Sequence, residues 1–131
     1  YRRLLEIAPD NAVVLNNLAF ALAVRKNDLE EALPMAEKAY ALSKQNPSVA
    51  DTLGWIHHLM GQNDRAVELL EEAVRGQSRN AELHLHFAIV SAETGDTLAA
   101  EVALQRALEI DPKLEQREEV RKLRLKLQPA P

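Results

Sequence analysis

The chain contains no cysteine, which rules out disulfides and thiolate metal sites and leaves both reducing and oxidising compartments open. Glycine is scarce, at 4 of 131 residues, which argues against an all-β protein with many tight turns. Aromatic residues make up 4% and apolar residues 47%, so a core has to be assembled mainly from Ala, Leu and Val. No apolar run approaches the roughly 18 residues of a membrane span. An excess of positive charge is missing too. The formal net charge is −4, without the basic character of a nucleic-acid binder. No signal peptide is visible. The chain starts at Tyr1 with no Met, so the expectation is a piece of a longer protein that begins inside a helix, with any targeting signal upstream.

What is abundant is Leu, Ala, Glu, Lys and Arg, all good helix formers. They recur with a period. Ala32, Ala66 and Ala100 are 34 residues apart, as are Ala39, Ala73 and Ala107. Ala36, Leu70 and Leu104 follow the same spacing, and so do Gly61 and Gly95, and Gly54 and Ala88. Within each period the apolar spacing is helical: Val67, Leu70 and Val74 fall at i, i+3 and i+7. Each period divides into two helices of about 12–15 residues joined by a short polar turn. The turns read Gly61-Gln62-Asn63-Asp64 and Gly95-Asp96-Thr97. Gly closes the first helix in a left-handed conformation, and Asn, Asp or Thr then accepts the free N–H groups of the second. The first turn, Arg25-Lys26-Asn27-Asp28, is one residue longer, with Asn27 as its left-handed residue.

Small residues line the expected seam of each hairpin. Ala19, Gly54 and Ala88 on the first helices face Ala32, Ala66 and Ala100 on the second, letting the axes approach toward roughly 8 Å. Gly54 costs about 1 kcal/mol of helix propensity against Ala; close backbone packing is one explanation, a flexible spot the other. Pro34 falls near the start of a second helix, where it removes a hydrogen bond and should bend the chain.

With these residues in register the chain resembles the tetratricopeptide repeat family, whose pattern runs W-x-x-L-G-x-x-Y, A-x-x-x-F, then Pro. The second repeat carries Leu53-Gly54, Ala66, Leu70 and Ala73. The third carries Phe87-Ala88, Ala100, Leu104, Ala107 and Pro112, and the first Leu15, Leu18-Ala19, Leu22, Ala32, Ala36 and Ala39. The family's large aromatic positions hold Ala50 and His57, then His84 and Ser91, and Ser78 stands for the closing Pro of the second repeat. The resemblance implies an all-α fold, a right-handed α-α superhelix of antiparallel helix pairs. It divides the chain into the end of a preceding repeat (1–11, closed by Pro9), repeats over 12–46, 47–80 and 81–114, and a capping helix over 115–128.

In this family the first helices of successive repeats line a concave groove. The groove positions implied here include Asn16, Asn17 and Phe20, then Asp51, Thr52, Trp55, His58 and Leu59, then Leu85, His86 and Ile89, with Val13, Val24, Glu82 and Glu93 beside them. Phe20, Trp55 and Ile89 occupy equivalent positions and form an apolar strip. Amide and carboxylate neighbours flank it, an arrangement suited to a peptide or helix. Trp55, the only Trp, is either a binding anchor or a packing residue against the next repeat, and a groove Trp can do both. Asn17 either bonds a peptide backbone or is a solvated helix Asn. Chaperone-binding members of the family grip a C-terminal carboxylate with Lys, Arg and Asn. Those positions hold Asn16, Phe20, Thr52, Glu82 and His86, so that mode is not expected, and Glu82 would repel a carboxylate. The stretch Asp51-Thr52-Leu53-Gly54-Trp55 is similar to one common in bacterial repeat proteins, some of them envelope lipoproteins of exopolysaccharide and PEP-CTERM systems. The compartment stays open between bacterial cytoplasm and cell envelope.

Little points to chemistry. His57 and His58 are adjacent, and His84 and His86 two apart, neither spacing placing two ligands on one helix face. No nucleophile elbow or glycine-rich phosphate loop occurs. No catalytic, metal or cofactor residues are therefore expected, and the protein is read as a non-enzyme. From Lys113 to Gln128 six basic residues face three acidic ones, with Val120, Leu123 and Leu127 at i, i+3, i+7. That segment is a cap over the last repeat or a docking helix for an acidic partner or membrane surface. The function expected is a protein-interaction scaffold holding a peptide or helix of a partner. The alternative is a spacer or self-association segment of a longer solenoid, joined through its truncated N-terminal edge.

Overall fold

In a computed structural model, residues 11–25, 27–43 and 46–128 are described. They form seven α-helices: α1 (Ala12–Arg25), α2 (Leu29–Leu42), α3 (Pro47–Leu59), α4 (Asn63–Gly76), α5 (Ala81–Glu93), α6 (Thr97–Ile110) and α7 (Glu118–Leu127). A 3₁₀ turn over Pro112–Gln116 precedes α7. No strand occurs among the described residues. The expected end of a preceding repeat lies outside them, Pro9 included, apart from Asn11, as does Lys26 of the first turn.

Most of the helices start and stop where the sequence chemistry says they should. Asn27, Gly61 and Gly95 adopt positive φ, at 53°, 80° and 86°, the left-handed conformation that ends a helix and reverses the chain. Asp28 and Asp96 then accept N–H groups of Glu31 and Ala99 at 3.2 and 3.1 Å. The middle turn departs from this pattern. Its N-cap is Gln62, which makes no side-chain cap bond, while Asn63 Oδ1 accepts from His58 Nδ1 at 2.9 Å. The first helices have caps of their own: Asn11, Asn46 and Asn80 accept backbone N–H groups of Val13, Ser48 and Leu83. α2 continues through Pro34, which lies exposed on its surface.

The pairs α1–α2, α3–α4 and α5–α6 are antiparallel hairpins. Each second helix also packs on the next first helix, giving the right-handed solenoid. First helices touch one another in the order α1, α3, α5, α7, whereas α2, α4 and α6 make no such contact. The first helices therefore form the tighter, inner ring. The seam is as close as the small residues demand. Ala19, Ala32, Ala66, Ala88 and Ala100 are fully buried. A Cβ on Gly54 would stand 3.1 Å from Leu69 Cβ and 3.2 Å from Leu70 Cγ. Close packing, not flexibility, accounts for this glycine.

Polar residues at the family's aromatic positions are absorbed locally. His84 is buried and donates through Nε2 to the Ser78 carbonyl at 2.7 Å. His57 donates to Gln62 Oε1 at 2.6 Å. Tyr40 ties neighbouring repeats, its hydroxyl donating to Glu72 Oε2 at 2.7 Å. The C-terminal segment covers the last hairpin: Leu114, Val120 and Leu123 are buried with Leu85, Ala88, Ala92, Ala103, Leu104 and Ala107. The helix itself begins at Glu118, later than the expected 115, because Pro112–Gln116 forms the 3₁₀ turn.

Candidate functional site

Because an α-helix returns to the same face every three to four residues, the second and third turns of α1, α3 and α5 place their side chains on the inner ring. Two hollows open there. One, of about 460 Å³, lies between α1 and α3, with Asn16, Asn17, Phe20, Asp51 and Thr52 in its lining. The other, of about 380 Å³, lies between α3, α5 and α7, where Trp55, His58 and Ile89 meet Leu123, with Glu93, Glu119, Lys122 and Lys126 at its mouth. Phe20 and Leu59 are exposed, at 43% and 39%, and Trp55 and Ile89 half-buried. Val24 is exposed as well and continues the apolar surface.

Two of the expected groove residues are placed differently. Leu85 is fully buried and packs in the cluster closed by α7, because the cap's Val120 and Leu123 cover its side of α5. Thr52 lines the first hollow but is only 4% exposed. Neither offers much surface to a partner.

The floor between the hollows is polar and connected. His86 on α5 donates through Nδ1 to Asp51 Oδ1 on α3 at 2.8 Å, and both side chains are about five-sixths buried, 15% and 16% exposed. The Trp55 ring lies 4.5 Å from the His86 ring, tilted by 31°, and 4.7 Å from the His58 ring, tilted by 47°. Burial opposes a charge on His86. The hydrogen bond and negative charge of Asp51, with Glu82 and Glu119 beyond, outweigh it and raise its pKa above the ordinary histidine value. Asn16 Oδ1 is buried with no hydrogen-bond partner, an acceptor left open beside the first hollow.

A guanidinium that the groove positions themselves lack arrives from the cap. Arg117 pairs with Glu82 and lies 3.8 Å from Glu119. Glu82, which the sequence reading expects to repel a carboxylate, is thus paired with a guanidinium. Lys126 bridges to Glu93 at 2.5 Å across the mouth of the second hollow. Arg124 and Lys122 are also paired, with Glu115 and Glu118, so much of the cap's basic charge is balanced within the chain.

Sequence reasoning missed two features. One is the wall that α7 adds to the groove. The other is a hollow of about 760 Å³ on the outer side, where Leu98 and Val102, 72% and 60% exposed, lie beside Phe87. The 34-residue register contained a signal for it, since Leu98 and Val102 stand where the previous repeat has Asp64 and Glu68. Among the described residues no group of three His, Asp or Glu converges as a metal site would, and no helix is long and apolar enough to cross a membrane.

The family model described as Tetratricopeptide repeat matches residues 23–75 and 57–127. A TPR repeat-containing protein of Pseudomonas aeruginosa is 36% identical over 67 residues, 51% of this chain but only 11% of that protein's length. Among solved structures, the Yersinia enterocolitica type III secretion chaperone SycD, in complex with a peptide of the translocator YopD, superposes with a TM-score of 0.71 at 22% identity, covering 86% of each chain. YrrB, described as a TPR protein with an unusual peptide-binding site, gives 0.77 at 22% identity over 96% of this chain and 61% of its own. MamA gives 0.76 at 18% identity over 97% of this chain and 82% of its own. At these identities the structural likeness shows the fold.

Proposed function

The chain belongs to the tetratricopeptide repeat family, and from that premise we propose that its inner surface is a scaffold for another protein, holding a peptide or a helix of the partner. The observation that carries this reading is the placement of Trp55: half-buried and oriented by His86, with one side open to the hollow it shares with Ile89 and Leu123. A rigid indole at the floor of an apolar hollow, with charged residues at its rim, has the form of an interface anchor. Phe20, Val24 and Leu59 extend the apolar surface toward α1, and Asn16, Asn17 and Asp51 supply polar groups for a peptide backbone. One structure of the same fold in complex with a peptide, and another described as having a peptide-binding site, support the reading. The family is typically non-enzymatic.

The test is selection of binders from a displayed random-peptide library on the immobilised chain, followed by affinity measurement with variants. Trp55→Ala is expected to weaken the best peptide by roughly 30-fold or more, the scale of an anchor residue, with helicity retained. Phe20→Ala, at a more exposed position, is expected to weaken it less. Equal affinity for Trp55→Ala and wild type sinks the proposal. A second reading, a spacer within a longer solenoid, draws on the small share of the Pseudomonas relative that the chain spans. It expects no selected peptide, and mass by sedimentation that changes with concentration if the ends associate.

A further inference from the structure

Asp51 and Trp55 stand four residues apart on α3, so they share one face and reach the same neighbour on the next repeat. That neighbour is His86. Its Nδ1–H is committed to Asp51 at 2.8 Å, which fixes the rotation of the imidazole, and the ring so fixed lies against the Trp55 indole at 4.5 Å. A carboxylate, an imidazole and an indole are thus placed in series on the groove floor, across the α3–α5 interface. Charge reaches His86 from three elements. Asp51 comes from α3, Glu82 from its own helix, and Glu119 from α7, with Arg117 held between Glu82 and Glu119. His58 flanks the indole on its other contact.

We propose that the Asp51–His86 pair is the positioning element of the Trp55 surface, and that protonation of His86 locks the indole in place and tightens partner capture. This rests on the groove reading above. The neutral ring keeps its single donated bond to Asp51. The imidazolium adds a full charge to that bond and places a cation beside the electron-rich face of Trp55, a contact strongest with indole. Both effects favour one arrangement of Trp55, so less freedom is lost when a partner side chain settles on it. The direction of the His86 shift agrees, since the folded chain holds the proton more tightly than a free histidine would.

Trp55 is the only Trp, so its fluorescence reports this site alone. Titrated from about pH 5 to about pH 9, wild type and His58→Gln are expected to show quenching on acidification, with a midpoint above that of free histidine. Asp51→Asn should lower the midpoint, and His86→Gln should remove the transition, with unchanged circular dichroism in each. A transition that survives His86→Gln and disappears in His58→Gln overturns the assignment. For capture, a His-free peptide selected on the wild-type chain is expected to bind about threefold or more tighter near pH 6 than near pH 8.5, and His86→Gln should flatten this dependence. A selected peptide whose affinity ignores pH overturns the coupling while leaving the groove reading intact. A library that yields no binder overturns the groove reading, and the coupling with it, whatever the fluorescence shows.

Discussion

Gly54 shows how a single residue carries two levels of the structure. Its local cost in helix propensity, about 1 kcal/mol against Ala, is set against a seam in which a methyl group would press on Leu69, Leu70 and the Ala66 carbonyl at 3.1–3.4 Å. Overpacking of that kind costs about 1–3 kcal/mol. Gly54→Ala is therefore expected to leave the denaturation midpoint unchanged or lower it, and a gain equal to the full propensity difference would show that the seam has room. His86 carries a pH dependence with a definite sign. Its folded pKa is raised, so its contribution to stability is complete below the unfolded value of about 6.5 and is lost as pH rises through the folded value. Unfolding measured at several pH values should show this component in wild type and not in His86→Gln. Gly54 was readable from the sequence because it sits in a column of small residues. The His86–Asp51 bond was not, because it joins residues 35 apart and only the superhelical offset of α5 on α3 brings them into contact.

At the scale of the element, α7 decides how the groove ends. Two kinds of contact hold it. Its ion pairs, Arg117–Glu82 and Lys126–Glu93, are between about two-fifths and one-half exposed, and pairs in that setting contribute about 0–1 kcal/mol each. Its apolar contacts are larger: Val120 and Leu123 are buried against α5 and α6. Leu123→Ala is expected to cost about 2–3 kcal/mol, near the low end for a core leucine because the site lies at the end of the stack and can relax. Lys126→Met should cost less than about 1 kcal/mol. A thermal or chemical denaturation series on the two variants compares them directly; a larger loss for Lys126→Met would mean that charge, not packing, fixes the cap. The capping face was legible in the i, i+3, i+7 spacing of Val120, Leu123 and Leu127. That the same helix supplies Leu123 and Lys126 to the second hollow was not, since the period of a helix tells which residues share a face and not which groove that face borders.

Across the whole molecule, contacts run only between neighbours in the stack, and α1 and α2 never touch α5, α6 or α7 among the described residues. Stability in such a solenoid is nearly a sum over repeats and their interfaces. Local damage should stay local. In Leu123→Ala, amide hydrogen exchange is expected to lose protection first in α5 and α6 while α1 and α2 stay close to wild type. A uniform loss along the chain would mean that the repeats unfold as one unit.

The sequence by itself determined the helices, their turns and their pairing, because these depend on chemistry within one period. They follow from the left-handed Asn27, Gly61 and Gly95, the small residues of the seam and the 34-residue register. It also marked the inner-ring positions, Trp55 foremost. The tertiary structure alone decided which of those positions are open. Leu85 went beneath the cap, Thr52 sank into the floor, Glu82 gained Arg117, and Trp55 was set against His86. The reason is geometric: spacing along a helix fixes the direction of a side chain, but its depth depends on how far each repeat is rotated against the next and on what the final helix covers.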